Sequence, residues 1–183
     1  MDQALSAAAA SRRRVAPRPW VGAVVVPPGD PHHPGHVGAT DGRVGPHAEV
    51  VALDAAGADA RGGTLYVTLE PCAHHGRTPP CADAVVAAGV DRVVVALEDP
   101  DPRVAGEGLA RLRAAGIDVV VGVGAAQAAD QLAPYLHHRR TGRPYVVLKL
   151  AGTLDGRTAA PDGTSQWITG PVARLDAHRL RAD

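Results

Sequence analysis

The chain has 183 residues, 45% hydrophobic and 21% charged, with a formal net charge of zero and a pI near 7.1. That length suits one well-cored domain and part of another. A neutral chain offers no basic footprint for nucleic acid or an anionic membrane surface, and no apolar run approaches the roughly 18 residues of a membrane span, so neither is an expected partner.

Two cysteines and no secretory leader pattern predict a reducing, cytoplasmic setting without a disulfide framework. Lys149 is the only lysine among 19 basic residues, and Phe is absent, which reads as compositional drift and not as function. In chain order, alanine-rich Met1 to Ala10 predicts a helix, and Arg12-Arg13-Arg14 a solvated turn. Val21 to Val26, bounded by Pro19 and by Pro27-Pro28-Gly29, predicts a buried strand. Pro27 to Gly45 reads as an irregular hairpin connection, with His32, His33 and His36 as exposed loop residues.

His47 to Ala60 predicts a helix with Val50, Val51 and Leu53 on its apolar positions, and Thr64 to Thr68 a strand. Cys81 to Ala88 predicts a helix closed by Gly89. Arg92 to Leu97 is a second buried strand pattern, and Glu98-Asp99-Pro100-Asp101-Pro102 a rigid turn. Gly108 to Ala115 reads as a helix, Ile117 to Val121 as a strand and Ala125 to His138 as a helix. This order predicts a three-layer α/β/α domain with a mixed sheet of about five strands, spanning residues 1–143. At Pro144 a second segment opens. Tyr145 to Leu150 predicts a strand, followed by a Gly-Thr-Leu-Asp-Gly turn and a terminal amphipathic helix. Residues 144–183 are near the lower limit for a fold without staples, and read as the start of a second domain that is not finished here.

The chemistry-bearing residues are His47, Glu49, Cys72 and Cys81. One imidazole and two thiolates form a three-ligand zinc set that leaves the fourth tetrahedral position for water. Zinc lowers the pKa of such a water from 15.7 to about 7. Glu49 stands two residues from a ligand and is the candidate carrier of protons from that water to a ring nitrogen and a departing amine. All three ligands fall where strands end and helices begin, the usual place for sites in open α/β sheets. Cys81 at a helix start has its thiolate favoured by the helix dipole. The rival readings are buried free thiols, and a structural zinc closed by His74 or His75.

The order His-x-Glu, Pro-Cys, Cys resembles the zinc deaminases. Here eight residues separate the cysteines, Ala73-His74-His75-Gly76-Arg77-Thr78-Pro79-Pro80. That loop resembles the deaminase domain of the bifunctional riboflavin-biosynthesis deaminase/reductase family. Val21-Gly22-Ala23-Val24, Gly45-Pro46-His47-Ala48-Glu49, Leu65 to Pro71 and Asp99-Pro100-Asp101-Pro102 match the same family. The resemblance implies a cytidine-deaminase-like fold with one zinc on His47, Cys72 and Cys81, and Glu49 as the catalytic residue.

The implied substrate is 2,5-diamino-6-(5-phosphoribosylamino)-4(3H)-pyrimidinone, with His74, Gly76 and Arg77 as candidate contacts to its phosphate. A homo-oligomer is expected. Lys149 to Gly156 and Ser165 to Thr169 resemble the opening of the family's NADPH-dependent reductase domain. By position Ala151 and Trp167 would match cofactor contacts, and Ser165 and Arg181 substrate contacts. NADPH is expected only where that domain is complete. Two departures stand out. Arg18 occupies the place of a family Asn whose amide contacts substrate, and Thr40 stands near the place of a family His. The first departure keeps open a zinc deaminase of another free base or nucleotide; the other rival is an interaction module that uses zinc as a staple.

Overall fold

Gly22–Val26 forms β1, a run of small and β-branched residues that ends at Pro27. In the computed structural model, which describes residues 1–30, 32–76 and 79–182, β1 is flanked by two antiparallel neighbours. They are β2 (His36–Ala39) and β3 (Thr64–Val67). Beyond β3, β4 (Arg92–Val95) and β5 (Asp118–Val121) add in parallel, giving the order β2-β1-β3-β4-β5. A hairpin on one side and helical crossovers on the other make the sheet mixed, as the element order predicts.

Register fixes which face each helix covers. Ala23 pairs with Gly38 and Gly22 with Ala39, so Ala23 and Gly38 share one face and Gly22 and Ala39 the other. A Cβ on Gly38 would lie 2.3 Å from the Ala48 carbonyl of α2 (Ala48–Ala56). A Cβ on Gly22 would lie 1.9 Å from the Ala4 carbonyl of α1 (Asp2–Val15). The two helices therefore cover opposite faces, each at a distance only glycine permits. Next to α2 packs α3 (Cys81–Ala88), next to α3 packs α4 (Glu107–Ala114), and α5 (Ala125–Gln131) lies against α1. These are the three layers, with Leu53, Leu65, Val67, Val85, Val93, Val95, Leu109 and Leu112 in one continuous core.

Several elements differ from expectation. Arg12, Arg13 and Arg14 lie in the last turn of α1, not in a turn after it, and the Arg12 guanidinium sits 4.9 Å from the Trp20 ring centroid. The predicted helix from His47 is α-helical only over Ala48–Ala56; Gly57 at φ +53 turns the chain into a 3-10 turn, Gly57–Ala60. The predicted Ala125–His138 helix is two helices, broken at Leu132 ahead of α6 (Ala133–Thr141). Pro134 explains the break, because it has no N–H for the Asp130 carbonyl and its ring crowds that turn. His36 is not a loop residue. It belongs to β2, with Nε2 3.6 Å from Asp59 Oδ2.

The chain divides into two compact units, Met1–Tyr145 and Val146–Asp183. The second contains a Thr153–Gly156 turn and α7 (Pro171–Ala182). The predicted strand from Tyr145 to Leu150 does not form. A strand needs a hydrogen-bonded neighbour, and the described part of residues 146–183 holds none; Val146 and Leu148 stay about 80% exposed.

Candidate functional site

His47 immediately precedes α2, in extended conformation as its N-cap residue, and Glu49 lies in the helix's first turn. The β1–β3 pairing continues past β3, where Thr68 N–H donates to the Gly22 carbonyl and Gly22 N–H donates to Thr68 Oγ1. Leu69, Glu70 and Pro71 stay buried, and Cys72 follows. Cys81 is the first residue of α3. Its N–H donates to Cys72 Sγ at 3.4 Å, and Ala82 N–H donates to the Cys72 carbonyl at 3.1 Å. The helix start therefore holds the Cys72 turn directly.

These contacts bring the three sequence-predicted ligands together. His47 Nδ1 lies 3.1 Å from Cys81 Sγ and 3.7 Å from Cys72 Sγ, and the three atoms all fall within 4.8 Å of one another. No nitrogen of His74 or His75 belongs to the group. The donor set fits a zinc ion, with one imidazole and two sulfurs converging and room for a fourth ligand. The electrostatics agree. A hydrogen bond from the Cys81 thiol, aided by His47, holds Cys72 down at about 4, while the same bond and burial push Cys81 up. His47 is raised by its bond to Cys72. One proton shared among clustered donors is the situation a cation relieves. Glu49 is outside the ligand group, is 3% exposed, and is pushed up to about 7 by burial.

A cavity of about 140 Å³ opens beside Glu49 and continues past the ligands to Asp99, Asp101 and Tyr135. The hydroxyl of Tyr135, on α6, donates to the Asp99 carboxylate at 2.9 Å. Asp101 accepts from Arg103 Nη2 at 2.7 Å and faces Arg139 Nε at 3.5 Å. These residues were not singled out from the sequence as site residues. Asp99 and Asp101 were visible as a rigid turn and as a motif shared with the family, without a site role, and Tyr135 only as one position of a helix; nothing in their spacing ties them to His47.

Glu70 was likewise missed. Its carboxylate, 4% exposed, accepts the backbone N–H groups of Asp99 and Gly106 on Oε2, and of Gly108 and Leu109 on Oε1. It caps α4 from outside that helix, whose own preceding residue, Gly106, has no side chain to do so. Thr40 is buried and tied to the Val21 backbone through Oγ1.

The other predicted contacts are distributed as follows. His74 and Gly76 line a second cavity of about 310 Å³ on the outer side of the ligands. Arg77 lies outside the described residues. In the second unit, Ser165 and Trp167 line a cavity of about 790 Å³ together with Asp155 and Arg157. Trp167 also stacks 4.2 Å from the Arg174 guanidinium. Ala151 does not line that cavity, and neither does Arg181, which lies on α7 beside His178.

A mixed sheet with helices on both faces and a His, Cys, Cys cluster beside a buried glutamate defines a zinc-deaminase class. Residues 1–97 match the family of the cytidine and deoxycytidylate deaminase zinc-binding region, and residues 144–183 match the RibD C-terminal domain. The chain belongs to that deaminase family, and within it groups with the bifunctional riboflavin-biosynthesis RibD proteins. It is 52% identical to riboflavin biosynthesis protein RibD of Escherichia coli, over all of this chain and 49% of that protein. The solved structure of Acinetobacter baumannii RibD superposes with a TM-score of 0.91 at 48% identity, over 99% of this chain and 50% of that one. The Thermotoga maritima deaminase/5-amino-6-(5-phosphoribosylamino)uracil reductase gives 0.90 at 40% identity, over 99% and 51%. The chain thus spans about half the length of the relatives it matches.

Proposed function

We propose that the chain is a zinc-dependent hydrolytic deaminase of riboflavin biosynthesis. Its substrate is 2,5-diamino-6-(5-phosphoribosylamino)-4(3H)-pyrimidinone, and its products are 5-amino-6-(5-phosphoribosylamino)uracil and ammonia. The observation that carries this reading is the convergence of His47 Nδ1, Cys72 Sγ and Cys81 Sγ next to a buried carboxyl that is not among them. A structural staple has no use for that carboxyl.

His47, Cys72 and Cys81 would hold the zinc, which when bound makes a water nucleophilic near neutral pH. Water adds at the ring carbon that carries the 2-amino group. Glu49 takes a proton from the water and delivers it to the adjacent ring nitrogen as the C=N bond opens. It then carries the second proton to the amine, the C–N bond breaks, and ammonia leaves with the carbonyl formed. Glu49 can serve both transfers because it is buried against the ligands, away from competing bulk water. Asp99, held by Tyr135, and Asp101 give the inner cavity acceptors suited to the amino groups of the ring.

The family match over residues 144–183 supports reading the second unit as reductase-domain sequence, in which Ala151 and Trp167 would face NADPH and Ser165 and Arg181 the uracil product. A reducing, cytoplasmic setting belongs to the same proposal; both cysteines are free, and among the described residues no helix is long and apolar enough to cross a membrane. The deciding experiment is ammonia release from the diaminopyrimidinone phosphate by zinc-loaded protein. Stoichiometric zinc without ammonia release would overturn this substrate and leave the two rivals, a zinc deaminase of another free base or nucleotide and the zinc staple.

A further inference from the structure

The outer cavity has a charge pattern that the chemistry at the zinc ligands does not need. Arg18, Arg43, His47, Cys72 and His74 line it, and no carboxylate of the described residues does. Arg18 Nη1 donates to the carbonyls of Gly42 at 3.2 Å and Gly45 at 3.3 Å, so its guanidinium is fixed at the rim. Arg43 lies on the same short loop and makes no hydrogen bond or ion pair with another described residue. His74 Nδ1 is buried there without a hydrogen-bond partner among the described residues. A fixed guanidinium, an unpaired one and an unsatisfied buried ring nitrogen are the parts of an anion site. Arg18 and His74 line the inner cavity as well, but its other two arginines, Arg103 and Arg139, are committed to Asp101, and it carries the carboxylates that the outer cavity lacks.

We propose that Arg18 and Arg43 form an anion-recognition site at the mouth of the zinc cavity, and that Arg18 is a specificity-determining residue selecting a phosphorylated substrate. This rests on the deaminase reading. The ring enters toward Glu49 and Asp99 while its phosphate stays at the rim, where Arg18 gives two-pronged donor geometry and Arg43 adds charge.

The test uses the full chain loaded with zinc, and the variants Arg18→Gln and Arg43→Gln. Zinc per chain is measured first. The substrates are the diaminopyrimidinone phosphate and its dephosphorylated riboside. The expected result is retained zinc, a KM for the phosphorylated substrate raised about tenfold or more, a kcat changed little, and an unchanged KM for the riboside. Equal KM changes for both substrates, or none for either, would overturn the proposal.

Should Arg18→Gln lose its fold or its zinc, Arg43→Gln decides, because Arg43 anchors no loop. A second readout separates this proposal from the deaminase reading. Inorganic phosphate titrated into zinc-loaded protein should bind, and bind more weakly to both variants. If neither substrate yields ammonia, the deaminase reading fails while the phosphate titration still decides the anion site. No phosphate binding, or binding of equal strength in parent and variants, would overturn it.

Discussion

At the scale of single residues, the proposed chemistry divides between groups that would hold zinc and one that would move protons. Glu49→Gln keeps size and burial but removes the titratable oxygen. Zinc content and melting behaviour should match the parent, while ammonia release should fall by about 10²–10⁴-fold. Steady-state kinetics beside metal analysis checks this, and near-parental turnover would move proton transfer to another group. Asp101 makes a prediction about acid stability. Hydrogen bonds from Arg103 hold its carboxyl down at about 2, below its usual 3.8. A depressed carboxyl contributes stability that is present above the unfolded value and lost as pH falls toward the folded one. The metal-free protein should therefore lose stability between about pH 4 and pH 2, and Asp101→Asn should lose less over that interval. Urea midpoints at several pH values, taken without metal in both proteins, measure the difference. Parallel curves would show that the Arg103 contact contributes nothing.

At the scale of elements, the legibility of the sequence depended on how local the determinants are. Helix α3 matches its predicted bounds because Cys81 and the apolar pattern lie within it and Gly89 closes it directly after. Strand β3 was equally readable, and so was the placement of His47, Cys72 and Cys81 where strands end and helices begin. The Tyr145–Leu150 prediction failed because an apolar run specifies burial only if a neighbour exists to cover it. Glu70 was invisible for the opposite reason, since its four donors come from residues 29 to 39 positions away. Those bonds make a stability prediction. Glu70→Ala leaves four N–H groups without their acceptor, three at the start of α4 and one on the Asp99 turn, and unsatisfied buried donors cost about 1–3 kcal/mol each. Partial relaxation should leave a net loss of at least about 3 kcal/mol. Denaturant unfolding of the Met1–Tyr145 unit reads it, and a loss under about 1 kcal/mol would mean that water replaces the carboxylate freely.

At the scale of the molecule, the proposed metal ligands come from three separate places, the start of α2, the turn after β3 and the start of α3. A cation bound by all three ties the hairpin end of the sheet to its parallel end. Chelation should lower the melting temperature of this unit by several degrees, and added zinc should restore it, by linkage of binding to folding. Calorimetry before and after chelator measures the shift, and an unchanged transition would mean that the ligands are preformed without energetic coupling.

His47, the N-cap residue of α2, and Glu49, in its first turn, stand two residues apart at one helix start, while Arg18, Arg43 and His74 stand on loops. The spacing between the proposed ligand and the proposed proton carrier is therefore set by one local helix start and is inherited as a unit, whatever happens around the rim. Recognition can drift by loop substitution without passing through a catalytically broken ancestor. Grafting a neutral rim, with Arg18→Asn and Arg43→Asn together, should reorder the preference among aminopyrimidine substrates and leave the zinc count and the Glu49 dependence intact. Loss of zinc in that double variant would show that rim and reaction centre are one inheritance after all.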